Sequence, residues 1–235
     1  MARLQNNTYA GAAMSVNSRS TFITKTYMHL LGAVLGLIAV EYVLLSNEQA
    51  REFGESMMGK WMYVLGAYLI VSWAATYIVQ QVESKALQYL ALAAYVVIEA
   101  VILLPLLLVA QWKAGGGSNL IFDAAMITLS GFFALTAVAF LTRKDFSFLR
   151  SIIAFGGVMA LILIAASFIF GLHLGVWFSV AMVALAGGMI LYDTSNIIRH
   201  YPEDKYVGAS LSLFASLAML FWYVLRLVIS FTGDD

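Results

Sequence analysis

The sequence predicts an all-α membrane protein with seven transmembrane helices. Hydrophobic residues make up 62% of the 235 residues and charged residues only 11%, whereas about a quarter of a soluble domain is charged. Several apolar runs approach the roughly 20 residues that a helix needs to cross a bilayer. The net charge is zero, which argues against a nucleic-acid partner. The chain contains no cysteine, which excludes disulfides and thiolate metal ligands.

The apolar runs divide the chain into a polar tail and one transmembrane domain. Residues 1–21 are rich in Asn and Ser, which is typical of a flexible tail, and they lack the apolar core of a cleavable signal. Residues 22–231 hold the seven runs, each bounded by charged residues, glycine or proline. The predicted spans are about 22–45, 61–80, 86–112, 120–141, 151–170, 174–198 and 206–231.

Short polar segments connect the spans. Residues 46–60 carry five charged side chains and are predicted to form a loop. The third span contains Pro105, which is expected to interrupt its helix. The glycine-rich segment 113–119 lacks the Lys-Ser/Thr pair of a phosphate-binding loop, so it is predicted to be a flexible turn. A basic turn at 142–150 and a polar turn at 199–205 complete the connections.

The distribution of basic residues predicts the orientation. Seven spans place the two termini on opposite sides of the membrane, and basic residues concentrate on the cytoplasmic side. With the N-terminus in the cytoplasm, the basic residues on that side are Arg3, Arg19, Lys25, Lys85, Arg143, Lys144, Arg150, Arg199 and Lys205. Those on the other side are Arg51, Lys60 and Lys113. This asymmetry favours a cytoplasmic N-terminus and an external C-terminus.

Four ionisable residues inside the spans are candidate functional residues, because a charge in hydrocarbon is costly. Glu99 lies about 20 Å from the inner end of its span, too deep to reach water easily. Glu41 and Arg226 both lie about 6–8 Å inside the outer boundary, so an ion pair is compatible with their depth. Alternatively, both extend outward to the interface. Asp193 is one to two turns inside the cytoplasmic end of the sixth span. Two roles are open for it: a group that takes up and releases a proton, or a carboxylate that only holds two helices together.

Several functional classes are disfavoured. The last span has no lysine for a retinal Schiff base, and the sequence has no GxSxG serine elbow. An aspartyl protease needs a second intramembrane acid beside Asp193 to share its proton, and the last span has none. Histidines at metal-ligand spacing are lacking as well. We therefore expect a protein without catalytic residues, resident metal or cofactor.

Four segments carry a family resemblance. ILYDTSNII (190–198), followed by SLSLFASLAMLFWYVLRL (210–227), resembles the Bax inhibitor-1 family, also called the transmembrane Bax inhibitor motif family. LTRKDFSFL (141–149) is similar to its bacterial YccA-like branch. EAVILLPLL (99–107) is similar to the family's third span. The resemblance covers nearly the whole membrane region.

The resemblance implies a bundle in which the last helix is central and surrounded by the other six, and a pH-sensitive calcium leak. Asp193 takes the position of a gating acid whose partner is a second Asp in the last span. That second position is Ser216 here, and a hydroxyl donor favours an ionised Asp193 more than a twin acid would. The alternative interpretation is that Ser216 and the other serines of the last span are only small residues that allow close helix packing.

The resemblance further implies that Arg226 acts as a latch cation. The family's acidic latch partner in the second span has no counterpart here, which leaves Glu41 or Glu99 to substitute. Glu99 is also the expected acid of the ion pathway. The expected ligand is calcium or another cation, bound weakly and transiently by carboxylate and hydroxyl oxygens.

A second function remains open. YccA-like proteins are thought to modulate a membrane-bound AAA protease, and the missing second Asp favours such a regulatory role without transport. The polar tail 1–21 would then offer the protease a handle. In either case the resemblance implies a multi-pass protein of the bacterial inner membrane.

Overall fold

The structure is a computed structural model that describes residues 2–115, 119–142, 144–172 and 174–232, with side chains from Ser18 onward except at 61–63 and 65. Within these ranges all regular structure is α-helical. The helices are α1 (Ala2–Ser46), α2 (Glu48–Met58), α3 (Trp61–Gln81), α4 (Lys85–Ala114), α5 (Leu120–Thr142), α6 (Leu149–Phe170), α7 (Val176–Arg199) and α8 (Tyr206–Phe231).

Six helices in the described part of the chain are long and apolar enough to cross a membrane. They are the Ser18–Ser46 part of α1 and the whole of α4, α5, α6, α7 and α8. Large apolar side chains cover the outside of the bundle, where Trp112 and Trp177 are each 84% exposed. The predicted all-helical membrane fold is thereby confirmed, with six spans counted among the described residues.

The first helix is longer than the sequence predicts. A flexible tail is expected over 1–21, whereas α1 is helical from Ala2 and runs for 45 residues, or about 68 Å at 1.5 Å per residue. Ala, Leu, Arg and Gln near its start are good helix formers. Because the apolar span already supplies the nucleus, adding residues before it avoids the nucleation cost of a separate helix.

The charged segment 46–60, predicted to be a loop, contains helix α2. Asn47 caps its start by accepting a hydrogen bond from the Ala50 amide over 3.0 Å. One face of α2 packs on α4 at Gly54, where an added Cβ would lie 2.9 Å from Leu104 and Leu108 side-chain atoms. The absence of a side chain at Gly54 therefore permits this close approach.

Helix α4 is not interrupted at Pro105. It continues through the proline to Ala114 and ends at Gly115, which adopts the left-handed conformation at φ 53°. Pro105 is buried. Proline removes one backbone hydrogen bond from its helix, and in a membrane domain the neighbouring helices can compensate for that loss. The predicted interruption is wrong.

Helices α4 and α8 share the centre of the bundle. They are the two spans with more than half of their apolar windows buried in the described structure. They meet at an edge-to-face contact between Tyr95 and Phe214, whose ring centroids are 6.0 Å apart. Helix α8 packs against α1, α3, α4, α5 and α7. Within the described residues α6 packs mainly on α7, so the expectation of six helices around the last one is only partly met.

Two long-range contacts gather helix ends at one end of the bundle. Near the start of the first span, Arg19 donates to the Ile198 carbonyl over 3.0 Å, at the end of α7. At the start of α4, Lys85 donates to the Asp204 carbonyl in the turn between α7 and α8. The beginnings of the first span and of α4 therefore lie beside the α7–α8 turn.

Candidate functional site

Helices α7 and α8 bring the predicted gating residues into direct contact. The Ser216 hydroxyl Oγ donates to Asp193 Oδ2 over 2.6 Å. Ser216 is fully buried, while Asp193 is partly exposed. Its length lies in the range of hydrogen bonds between a hydroxyl and an ionised carboxylate, which are stronger than those between neutral groups. The two residues selected from the sequence thus form one site that fastens α7 to α8.

A group of hydroxyls adjoins this site. Tyr27 on α1 lies within interaction range of Thr136 on α5, Thr194 on α7 and Asp193. The three hydroxyl oxygens are buried and make no hydrogen bond of good geometry to the described residues. The sequence analysis missed this group, because spacing along single helices does not show which hydroxyls meet across three of them. The Tyr27 hydroxyl connects the group to the carboxylate.

The end of α7 is fastened to two other parts of the chain. The Ser195 hydroxyl accepts a hydrogen bond from the Phe146 amide over 3.1 Å and donates to the Lys144 carbonyl over 3.4 Å. Arg19 donates to the Tyr201 carbonyl over 2.5 Å as well as to the end of α7. These contacts fix the last turns of α7, next to Asp193, relative to α1 and to the α5–α6 turn.

Asp145 in the α5–α6 turn marks the polar surface at this end. Its Oδ1 accepts two hydrogen bonds from Ser147, from the hydroxyl over 2.5 Å and from the amide over 2.9 Å. These bonds lower the pKa of Asp145, and the nearby charges of His200 and Arg199 act in the same direction. His200 Nε2 lies 3.9 Å from Asp145 Oδ2. The carboxylate is exposed, so it contributes to the surface and not to the buried site.

The expected ion pair between Arg226 and Glu41 is not formed among the described residues. Arg226 Nη2 instead donates to the Leu174 carbonyl over 2.7 Å, just before α7. Its guanidinium therefore ties the end of α8 to the start of α7. Glu41 interacts instead with Glu99 of α4, so the predicted latch pair is replaced by two separate contacts.

Glu41 of α1 and Glu99 of α4 are buried on two helices that pack against each other. The two carboxyl groups are close enough to interact electrostatically. Glu41 is 7% exposed and Glu99 is 4% exposed. Both oxygens of Glu41 and Oε2 of Glu99 are buried without a hydrogen-bond partner among the described residues. The structure thus separates the predicted residues into three places: Asp193 with Ser216, Arg226 with a backbone carbonyl, and Glu41 with Glu99.

The described residues contain no group of three or more His, Asp or Glu side chains that would hold a metal ion tightly. Calcium takes six to eight oxygen ligands in its specific sites. The carboxyl and hydroxyl oxygens shown near Asp193 are fewer than that.

Comparison with known proteins decides the family. Residues 19–233 match the family described as inhibitor of apoptosis-promoting Bax1. The chain belongs to the Bax inhibitor-1 family. This match covers Glu41, Glu99, Asp193, Ser216 and Arg226, and it confirms the resemblance that the sequence motifs predicted.

Individual known proteins are similar to about half of the chain. An uncharacterised protein of Pseudomonas aeruginosa is 38% identical over 122 residues, which are 51% of this chain and 54% of that protein. The modulator of FtsH protease YccA of Escherichia coli K12 is 35% identical over 120 residues, 48% of this chain and 53% of that protein. A BI1-like protein of Arabidopsis thaliana is 32% identical over 121 residues, 47% and 45% of the two chains.

These matches support the YccA-like branch of the Bax inhibitor-1 family. The chain spans about half the length of the curated relatives that it matches. Together with the apolar helices, the family shows that this is a multi-pass integral membrane protein. One relative is named a modulator of a protease, and another is named an inner membrane protein.

Proposed function

We propose that this Bax inhibitor-1 family member is a non-enzymatic, pH-influenced leak pathway for calcium or a related cation, controlled where α7 meets α8. The observation that carries the proposal is the Asp193 carboxylate, which accepts from Ser216 over 2.6 Å and interacts with Tyr27. Carboxylate and hydroxyl oxygens are the ligands that hard cations prefer.

The gate is the contact itself. An ionised Asp193 accepts from Ser216 and holds α7 against α8. A proton or a cation on the carboxylate competes with the hydroxyl for the same oxygen, so either one weakens the contact. Ser216 replaces the second acid of the calcium-leak members, and we expect the pH response to be weaker here than in a protein with two aspartates.

We further propose seven spans, with the N-terminus in the cytoplasm and a bacterial inner membrane as the location. Helix α3 (Trp61–Gln81) supplies the seventh span, since its 21 residues include no charged side chain. The start of the first span and the start of α4 lie at the same end, beside the α7–α8 turn. The chain leaves that end through α1, so α3 has to cross back before α4 begins.

A flux assay in liposomes tests the leak. Purified protein is reconstituted, and calcium entry is followed with an enclosed dye for wild type, Asp193→Asn and Ser210→Ala. Ser210 is a matched control, because its buried hydroxyl bonds only to the Val207 carbonyl in its own helix among the described residues. We expect entry in wild type and Ser210→Ala and at least a severalfold change in Asp193→Asn. Equal entry in wild type, Asp193→Asn and empty liposomes would refute the proposal.

Modulation of a membrane-bound protease is a second candidate. It is favoured by the name of the Escherichia coli relative, modulator of FtsH protease. A pocket of about 360 Å³ beside the start of the first span, lined by Ser18, Thr21, Phe22, Lys25 and Glu203, offers a surface at the end from which residues 1–17 extend. Arg19 connects this end to the α7–α8 turn, so a protein bound there would lie next to the gate.

Capture of the protease from detergent tests this second candidate. The bait is the full chain or a variant that lacks residues 1–17 and keeps Arg19. Capture by the full chain that falls at least severalfold in the shortened variant supports the role. Failure of the full chain to capture FtsH excludes it and leaves the flux result unaffected.

A further inference from the structure

The contact between α1 and α4 contains a pair of acids that the α7–α8 gate does not use. Glu41 and Glu99 come from different helices and are each more than nine-tenths buried, at 7% and 4% exposure. Both Glu41 oxygens and Oε2 of Glu99 lack a partner in the described structure. The other glutamates, at positions 48, 52, 55, 83 and 203, are exposed. A buried carboxyl oxygen without a partner is unusual, because the loss of hydration is uncompensated.

Tyrosine hydroxyls provide the polar surroundings of the pair. The hydroxyls of Tyr68 on α3 and Tyr95 on α4 are hydrogen-bonded to each other over 2.9 Å. Tyr68 also interacts with Glu99. Tyr95 is 2% exposed and packs by its ring edge on Phe214 of α8. Tyrosine hydroxyls of α3 and α4 therefore lie within electrostatic range of Glu99.

The charged groups of the neighbouring helices do not neutralise the pair. On α8, Arg226 is bonded to the Leu174 carbonyl. On α2, the charged side chains are exposed, and these are Glu48, Arg51, Glu52 and Glu55. On α5, Asp123 is exposed, and on α7, Asp193 is bonded to Ser216. On α1, Lys25 is 16 positions before Glu41, which is about 24 Å along the helix. In the described part of the chain no cation lies within 4 Å of either acid.

Two ionised carboxylates facing each other in such a place would each lose hydration and repel the other. Neighbouring acids in proteins resolve this conflict by keeping one proton between them. We propose that Glu41 and Glu99 form a proton-binding pair inside the membrane domain, separate from the Asp193–Ser216 site. The ligand is a proton, exchanged between the two carboxyl groups and the adjoining tyrosine hydroxyls. This goes beyond the proposed leak and does not depend on it.

Infrared spectroscopy of the full chain in lipid nanodiscs tests the pair. A protonated carboxylic acid has a C=O stretch that carboxylates lack, and ¹³C labelling of the glutamate carboxyls assigns such a band to glutamate without any mutation. We expect a band at neutral pH that shifts with this label.

Variants locate the proton. We expect the band to be lost in the double variant Glu41→Gln, Glu99→Gln and to change frequency in each single variant, because the partner becomes an amide. Glu83→Gln and Asp193→Asn should leave the glutamate band unchanged. Absence of a label-sensitive band in wild type, or an unchanged band in the double variant, would overturn the proposal. The labelled wild-type spectrum decides the question even where the double variant does not fold.

Discussion

Replacing Ser216 with alanine should loosen α7 from α8 by a measurable amount. The variant removes one buried hydroxyl and leaves Asp193 Oδ2 without the donor that lies 2.6 Å away. A hydrogen bond to a charged group contributes about 1.5–3 kcal/mol in soluble proteins, whereas hydrogen bonds between membrane helices average about 0.6 and reach about 1.7 kcal/mol. Because Ser216 is fully buried and its acceptor is a carboxyl group, we expect a loss of about 1.5 kcal/mol, where the two ranges meet.

Thermal unfolding in detergent measures this loss. For a chain of this size, 1 kcal/mol corresponds to a shift of about 2–4 °C, so Ser216→Ala should lower Tm by about 3–6 °C. Ser210→Ala is the matched control, since the same atom is removed from a fully buried serine of the same helix. Its hydroxyl bonds to the Val207 carbonyl within α8, so we expect a clearly smaller shift.

Measuring the Tm shift of Ser216→Ala in the Asp193→Asn variant separates the contribution of the Asp193 charge from that of packing. Asparagine keeps the size of the side chain and an acceptor oxygen, and a neutral hydrogen bond is about half as strong as a charge-assisted one. Ser216→Ala should therefore reduce Tm by about half as much in this background. Equal shifts for Ser216→Ala and Ser210→Ala would show that Ser216 acts only as a packing residue. An undiminished shift in the Asp193→Asn background would show that no charge strengthens its hydrogen bond.

Three further predictions concern the rest of the bundle. Gly54→Ala should destabilise the α2–α4 contact by about 1–3 kcal/mol through overpacking, measured by Tm, while Gly59→Ala, with nothing within 4 Å of its added Cβ, should not. Arg19→Ala should speed hydrogen exchange severalfold in the α7–α8 turn, with α6 peptides unchanged as the internal reference. The pKa of Asp145 is lowered in the folded state, so its stabilisation exists at neutral pH and disappears as the pH falls through that lowered value. Ser147→Ala should raise the Asp145 titration midpoint, observed by ¹³C NMR.

The sequence was sufficient to predict the all-helical membrane fold and the α7–α8 contact. Hydropathy over about 20 residues identifies a membrane helix because the bilayer requires that length. Asp193 and Ser216 lie near the same end of two consecutive helices, and a short turn makes those helices antiparallel neighbours. Their contact therefore required only the rise per residue and the family resemblance.

The rotation of each helix was not predictable in the same way. The helical rise gives the depth of Glu41 and of Arg226, but which neighbour a side chain faces depends on how all the helices pack. Glu41 faces α4 and meets Glu99, while Arg226 faces the start of α7. Depth alone was compatible with either arrangement.

Helix α2 was missed although its signals are present in the sequence. Asn47 is a favoured N-cap residue and Glu48 follows in the first turn, where an acid suits the helix dipole. The many charged residues of 46–60 are equally typical of a surface loop. A short helix with mostly polar residues depends on packing for its stability. The packing of Gly54 against Leu104 and Leu108 is visible only in the folded bundle.

The separation of the acids has a consequence for how this protein responds to its surroundings. The interior holds Glu41, Glu99, Asp193 and Arg226, and the arginine is bonded to a backbone carbonyl instead of an acid. Each acid site therefore depends on a hydroxyl, a proton or a mobile cation for compensation. The two sites lie on different helix pairs, α7–α8 and α1–α4, and the α1–α4 pair packs on α8. Helix α1 also places Tyr27 near Asp193, so both α1 and α8 connect the two sites.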